Sequence, residues 1–140
     1  GGSDIPAARA LEHVWGYAVG LDMTRRDLQA EMKKLARPWC IGKAFDDAAP
    51  IGAVRPAAEC KLGPDTEIRL DVNGATRQRS TLGKLIWSVP EIIEHVSKAW
   101  TLAPGDLIYT GTPEGVAATV RGDRLEASVA GVGSLALEIV

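Results

Sequence analysis

Polar and apolar positions change period several times along the chain, and each change marks an element. Val14 to Leu21 is apolar apart from two glycines and has polar ends, the pattern of a strand. It ends on Asp22, and a helix follows at once, with Thr24 as N-cap and Asp27 three residues on. Leu28, Met32 and Leu35 form one stripe of this helix for the core, while Arg26, Gln29 and Lys33 share another face. Arg37-Pro38 stops the helix near Ala36, because the residue before proline is pushed out of the α region.

Further on, Ile68, Leu70 and Val72 alternate with Glu67, Arg69 and Asp71, and Asn73-Gly74 is a two-residue hairpin turn. Continuing that register puts Arg77 on the apolar face of Leu70, next to Gln78, which leaves a bulge, a strand edge or a functional position open. Ile5-Pro6 opens a short helix through about His13, with Asp4 as its cap. Ser88-x-x-Glu91 is a capping box for a helix starting near Pro90, whose stripe Val89, Ile92, Ile93, Val96 and Trp100 is expected to pack on a sheet. Leu107 to Thr110, Arg124 to Val129 and Ser134 to Val140 read as strands separated by glycine turns. Ile41 to Pro64 is irregular, and long loops of this kind are often binding loops. Strands outnumber helices and mostly connect antiparallel, so one domain over residues 1–140 is expected. It should have a mixed, β-dominated α+β fold, a roll with a few outer helices.

Composition narrows the function. Apolar residues at 46% and charged residues at 24% fit an ordinary globular chain. A net charge of −2 leaves no basic footprint for nucleic acid or an anionic membrane. No apolar run approaches the ~20 residues that span a bilayer, and Gly1 to Asp4 does not resemble a signal peptide, so a cytoplasmic location is the expectation. Cys40 and Cys60 have no metal-ligand spacing and read as reduced, partly buried thiols. Gly42-Lys43 and Gly83-Lys84 lack the upstream glycine of a phosphate-cradling loop.

Four places carry candidate chemistry. Asp22 at the tip of a strand suits a hard divalent cation, and equally suits a helix N-terminus favoured by its dipole. Arg26 and Gln29 suit a carboxylate and a keto oxygen, or simply a solvated helix face. Lys43 taken alone reads as a surface lysine, whose charge could also stabilise developing negative charge in a dry site. Thr112 stands in a Gly-Thr-Pro run that reads as a plain turn shaped by Pro113, or as one where a hydroxyl and nearby amides meet a carboxylate.

Taken together, Gly16 to Gln29, Pro38-Trp39 with Gly42 to Phe45, Val72-Asn73-Gly74 with Arg77-Gln78, and Leu102 to Val116 resemble the fumarylacetoacetate hydrolase family, within it the fumarylpyruvate hydrolase and acylpyruvase branch. The set in this order is specific; Thr-Gly-Thr-Pro alone would not be. The resemblance implies a β-sandwich-like roll and Mg2+ or Mn2+ held partly by Asp22. It also implies Lys43 beside the metal, with Arg26, Gln29 and Thr112 on a small diketo acid substrate, in a homodimer. The implied reaction is hydrolysis of a carbon–carbon bond in acylpyruvates such as fumarylpyruvate. A decarboxylase or keto-enol isomerase on the same site is the nearest alternative, and a noncatalytic scaffold is one of another class. The family's Glu-x-Glu metal ligands and the His and Glu pair that activates water match nothing here, so the chain resembles the carboxyl-terminal part of a longer catalytic domain.

Overall fold

A computed structural model describes residues 1–140. The Asn73-Gly74 dipeptide turns β3 (Glu67–Val72) into β4 (Ala75–Thr81), both turn residues taking the positive φ that a tight hairpin requires, 52° and 77°. β5 (Arg124–Val129) pairs on the other side of β3 and β6 (Gly133–Glu138) on β5, giving an antiparallel sheet of order β4-β3-β5-β6. Between Leu70 and Asp71 the register shifts: Leu70 faces Gln78 while Asp71 faces Thr76. Arg77 is therefore the extra residue of a β-bulge, which resolves its conflict with the apolar face. Arg77 is exposed and Gln78 is buried, 9% accessible.

A second, two-stranded sheet pairs β1 (Gly16–Tyr17) with β2 (Arg55–Pro56), and a bridge joins Gly20 to Ile51. The mixed α+β class with antiparallel sheets and few helices stands as read. Several boundaries do not. The strand expected over Val14 to Leu21 shrinks to β1, although Leu21 and Met23 still donate backbone hydrogen bonds to Pro50 and Ala48. Leu107 to Thr110 forms no strand: residues 107–119 make no backbone–backbone hydrogen bond at all.

The helices also differ from the pattern. α1 (Arg26–Lys34) is capped by Arg25 rather than Thr24, whose hydroxyl bonds the Asp22 carbonyl instead. None of its residues is buried and Leu35 is exposed, so the apolar stripe is only half covered. A turn of helix at α2 (Cys40–Lys43) breaks the stretch read as irregular, and it leaves Cys40 exposed. Residues Ala7–His13 form a 3-10 helix capped at Pro6, with Asp4 in a left-handed conformation. α3 (Val89–Ala99) starts where the capping box put it, Glu91 accepting from the Ser88 amide and hydroxyl, both at 2.7 Å. Its buried Ile93 packs on Ile5 and Ala10 of the N-terminal segment, not on a sheet, and Trp100 is exposed. No helix is long and apolar enough to cross a membrane.

Two small cores result instead of one. The first is Ile5, Ala10 and Ile93; the second is Val19, Ala127 and Val132. Only 12 of 140 residues are buried, and the chain exposes 9305 Å², where a compact monomer of this size exposes roughly 7,000 Å². A cleft of about 1110 Å³ opens among these elements.

Glycines at the two turns separate local strain from close approach. Gly74 has nothing within 4 Å of an added Cβ, so Gly74→Ala should cost only the left-handed strain, about 1 kcal/mol in chemical denaturation. Gly115, also at positive φ, would drive a Cβ into the Arg77 carbonyl of the bulge. Gly115→Ala should cost more than Gly74→Ala, and equal costs would contradict the contact.

Candidate active site

The cleft's charged wall is built by backbone pairing. Leu21 and Met23 are both tied to residues 48–50, at 3.0 and 2.8 Å, which holds Asp22 between two anchored neighbours. The α1–α2 corner is fastened by the Arg25 amide on the Gly42 carbonyl at 3.0 Å. Gly42 is buried there, and a Cβ on it would crowd the Gln29 backbone nitrogen at 3.3 Å. This close approach sets Lys43 across from Asp22. Its Nζ donates to Asp22 Oδ2 at 2.6 Å, joining two residues far apart in sequence. Both side chains are partly open to solvent, so the pair contributes at most about 1 kcal/mol of stability.

Arg26 and Gln29 lie one turn apart on α1, where Arg26 Nη1 donates to Gln29 Oε1 at 3.2 Å. That bond uses the amide oxygen of Gln29 and leaves its NH2 for another acceptor. Both line the same cleft as Asp22, Lys43 and Thr112, so all five candidate residues share one cavity. Lys33 also lines it, while its ammonium sits 4.7 Å from the centre of the Trp39 ring. Arg25 does not: its guanidinium stacks over Phe45 at 4.4 Å.

Two further residues complete the wall. Tyr109 donates its hydroxyl to the Ala49 carbonyl at 2.8 Å, and its ring lies against Gly20, where an added Cβ would meet it at 2.7 Å. Burial raises its phenol above the ordinary range, and the nearby Asp22 charge raises it further. The Tyr-Thr-Gly-Thr-Pro run held this residue in plain view, and the fit of a ring on a bare glycine was its missing signal. Gln78, turned inward by the bulge, donates to Thr112 Oγ1 at 2.9 Å and to the Pro113 carbonyl at 2.7 Å.

A hard divalent cation takes six or more oxygen donors. Asp22 offers one anionic donor, and no three His, Cys, Asp or Glu side chains come together. Asp22 therefore fits as a single ligand, while these residues do not complete a site. His13 reaches the cleft but its Nδ1 lies 2.7 Å from the Gly1 carbonyl, and His95 stacks on Trp87. Glu12 is paired with Arg9 at 2.9 Å.

Comparison with known proteins adds an independent line. Residues 1–140 match the family model described as fumarylacetoacetate (FAA) hydrolase, C-terminal. A fumarylpyruvate hydrolase of Ralstonia sp is 44% identical over 99% of this chain and 71% of its own length. The mitochondrial oxaloacetate tautomerase of Rattus norvegicus is 42% identical over 99% of this chain and 62% of its own. The crystal structure of fumarylpyruvate hydrolase from Pseudomonas aeruginosa, in complex with Mn2+ and pyruvate, superposes with a TM-score of 0.95 at 54% identity. It is matched over all of this chain and 60% of that one. The chain thus spans from about three fifths to seven tenths of the length of these proteins.

The placement of Asp22 beside Tyr109 can be measured without any ligand. In a Tyr17→Phe background, the ultraviolet titration of Tyr109 should lie above an ordinary phenol, and Asp22→Asn should bring it partway down. An unchanged titration would separate the two groups.

Proposed function

The chain belongs to the fumarylacetoacetate hydrolase family, and from that membership and the geometry of the cleft we propose that it supplies the substrate-facing part of a hydrolase of small 2,4-diketo acids. The preferred substrate class is acylpyruvates such as fumarylpyruvate, cleaved to a carboxylic acid and pyruvate. One observation carries the reading: an Asp22–Lys43 pair at 2.6 Å stands in the same cleft as the Arg26–Gln29 pair and Thr112. A diketo acid has a carboxylate, two keto oxygens and a leaving enolate, and these side chains match each of them.

In this proposal Asp22 is one ligand of Mg2+ or Mn2+, and the other ligands and the base for water come from outside residues 1–140. A divalent cation so bound supplies Lewis-acid polarisation of the oxygens it touches. Arg26 grips the substrate carboxylate through its planar fork, which offers two parallel donors. The free NH2 of Gln29 donates to a keto oxygen without adding charge. Lys43 is within reach of oxygens held at Asp22, and its ammonium stabilises the enolate of the departing pyruvate. Holding the reacting groups in register can itself remove several kcal/mol of barrier, on the order of 7 or more in favourable cases.

A second reading rests on the 42% identity to an oxaloacetate tautomerase. Enolate stabilisation serves tautomerisation, decarboxylation and cleavage alike, so fold and site alone carry all three. Assaying the complete protein on fumarylpyruvate and on the enol of oxaloacetate separates them, since only cleavage releases fumarate. A soluble homodimer acting without nucleic acid or membrane is part of the same proposal.

Asp22→Asn should weaken Mn2+ binding in calorimetry and abolish turnover while the circular dichroism spectrum is retained; full activity with unaltered affinity would remove Asp22 from the ligand set. Arg26→Lys keeps the charge and loses the fork, so it should raise KM for an acylpyruvate by about tenfold. Arg25→Lys should leave KM unchanged and cost about 0.5 kcal/mol of stability through the Phe45 contact. Sensitivity at Arg25 instead of Arg26 would mean that the substrate meets the other side of α1.

A further inference from the structure

We propose that Gln78 is a positioning residue that makes the Thr112 hydroxyl a hydrogen-bond donor toward the bound substrate; the inference rests on the reading that Thr112 meets a substrate oxygen. Residues 107–119 line the cleft without a single backbone–backbone hydrogen bond, and Ile108 packs on the Ile5, Ala10 and Ile93 cluster. Two side chains tie the segment down by hydrogen bonds. Tyr109 anchors the near end on Ala49, and Gln78 anchors the turn through Thr112 Oγ1, the Pro113 carbonyl and, at 3.3 Å, the Glu114 carbonyl.

The chemistry of these acceptors fixes the orientation of the amide. A carbonyl oxygen can only accept, so the end of Gln78 that faces Pro113 and Glu114 must be the NH2. The same NH2 then donates to Thr112 Oγ1. A hydroxyl that accepts from Gln78 cannot also give its own proton to it, and Thr112 is exposed on the cleft side. Its proton is thereby left for an acceptor in the cleft, a carboxylate or a keto oxygen. An acid at position 78 would reverse this polarity by taking the threonine proton.

Sequence-level features explain how Gln78 reaches the turn. The bulge at Arg77 rotates the next residue inward, and Gly115 lets the turn press on the Arg77 carbonyl, where no side chain fits. Burial adds weight to the arrangement. At 9% accessibility, the Gln78 head group has little solvent to replace lost partners.

Pyruvate, a product of the proposed reaction, is the probe. Its affinity for the complete protein loaded with Mn2+ is measured by calorimetry for Thr112→Val, Gln78→Met and the double variant. Each single change should weaken binding about tenfold, the loss of one hydrogen bond to a charged group. The double variant should be no weaker than Thr112→Val alone, because Gln78 acts through that hydroxyl. Thr112→Ser should bind as the wild type and regain sensitivity to Gln78→Met. Additive losses, or a Gln78→Met protein that binds pyruvate normally, would overturn the positioning role while leaving Thr112 in place. A silent Thr112→Val would instead remove the contact on which the inference rests. Gln78→Asn, whose amide falls one methylene short of Thr112, gives the same test if the methionine variant does not fold.

Discussion

The backbone pairing of residues 19–23 with residues 48–52 is the constraint on which the cleft depends. Neither stretch forms a regular ladder, yet Gly52 donates to Val19, Leu21 to Pro50 and Met23 to Ala48, at 2.8 to 3.0 Å. Those three bonds place Asp22 beside the corner that carries Lys43. Loss of them would leave two charged side chains far apart in sequence with no reason to meet. The Asp22–Lys43 ion pair is too exposed to create this geometry by its own energy; it reports the geometry instead. In the same way the bulge in β4, a single extra residue, decides which side chain of the Arg77-Gln78 pair enters the wall of the cavity.

Much of this was legible in the sequence where the signal is local. The Asn73-Gly74 turn needs positive φ at both positions and few residue pairs tolerate it, so the hairpin could be read directly. The Ser88 and Glu91 box is equally local, and the face shared by Arg26, Gln29 and Lys33 follows from helical spacing. What failed was whatever depends on a partner. Leu107 to Thr110 has the composition of a strand, but a strand is defined by its neighbour, and this segment finds no backbone to pair with. Leu28 and Leu35 have the spacing of a core stripe, yet α1 meets little more than α2, so the stripe is left half open. Thr24 has the chemistry of a cap and spends its hydroxyl on the Asp22 carbonyl. The roles of Asp22, Lys43, Arg26, Gln29 and Thr112 came from resemblance to a family and not from periodicity, and the structure adds that they share one cavity.

The site also shows why one scaffold is found with several reaction names among its relatives. In the proposed reading Asp22, Lys43, Arg26 and Gln29 bind and polarise a diketo acid, but none of them selects what happens to the enolate that results. Tyr109 and Gln78 act a layer behind, one seating its ring on a bare glycine and the other gripping the turn. On that reading, selection among cleavage, decarboxylation and proton transfer falls to the groups that deliver water or protons. Changing those groups would change the reaction without disturbing the wall described here.

Members of both small apolar clusters line the cavity, and the clusters share no buried residue. Each alone is too small to stabilise its surroundings strongly. A molecule that touches both clusters bridges them, and its binding free energy adds to the stability of the folded chain. Occupancy of the cavity would then be visible far from it, as slower amide exchange in the Ile93 helix and in the Leu125 strand together.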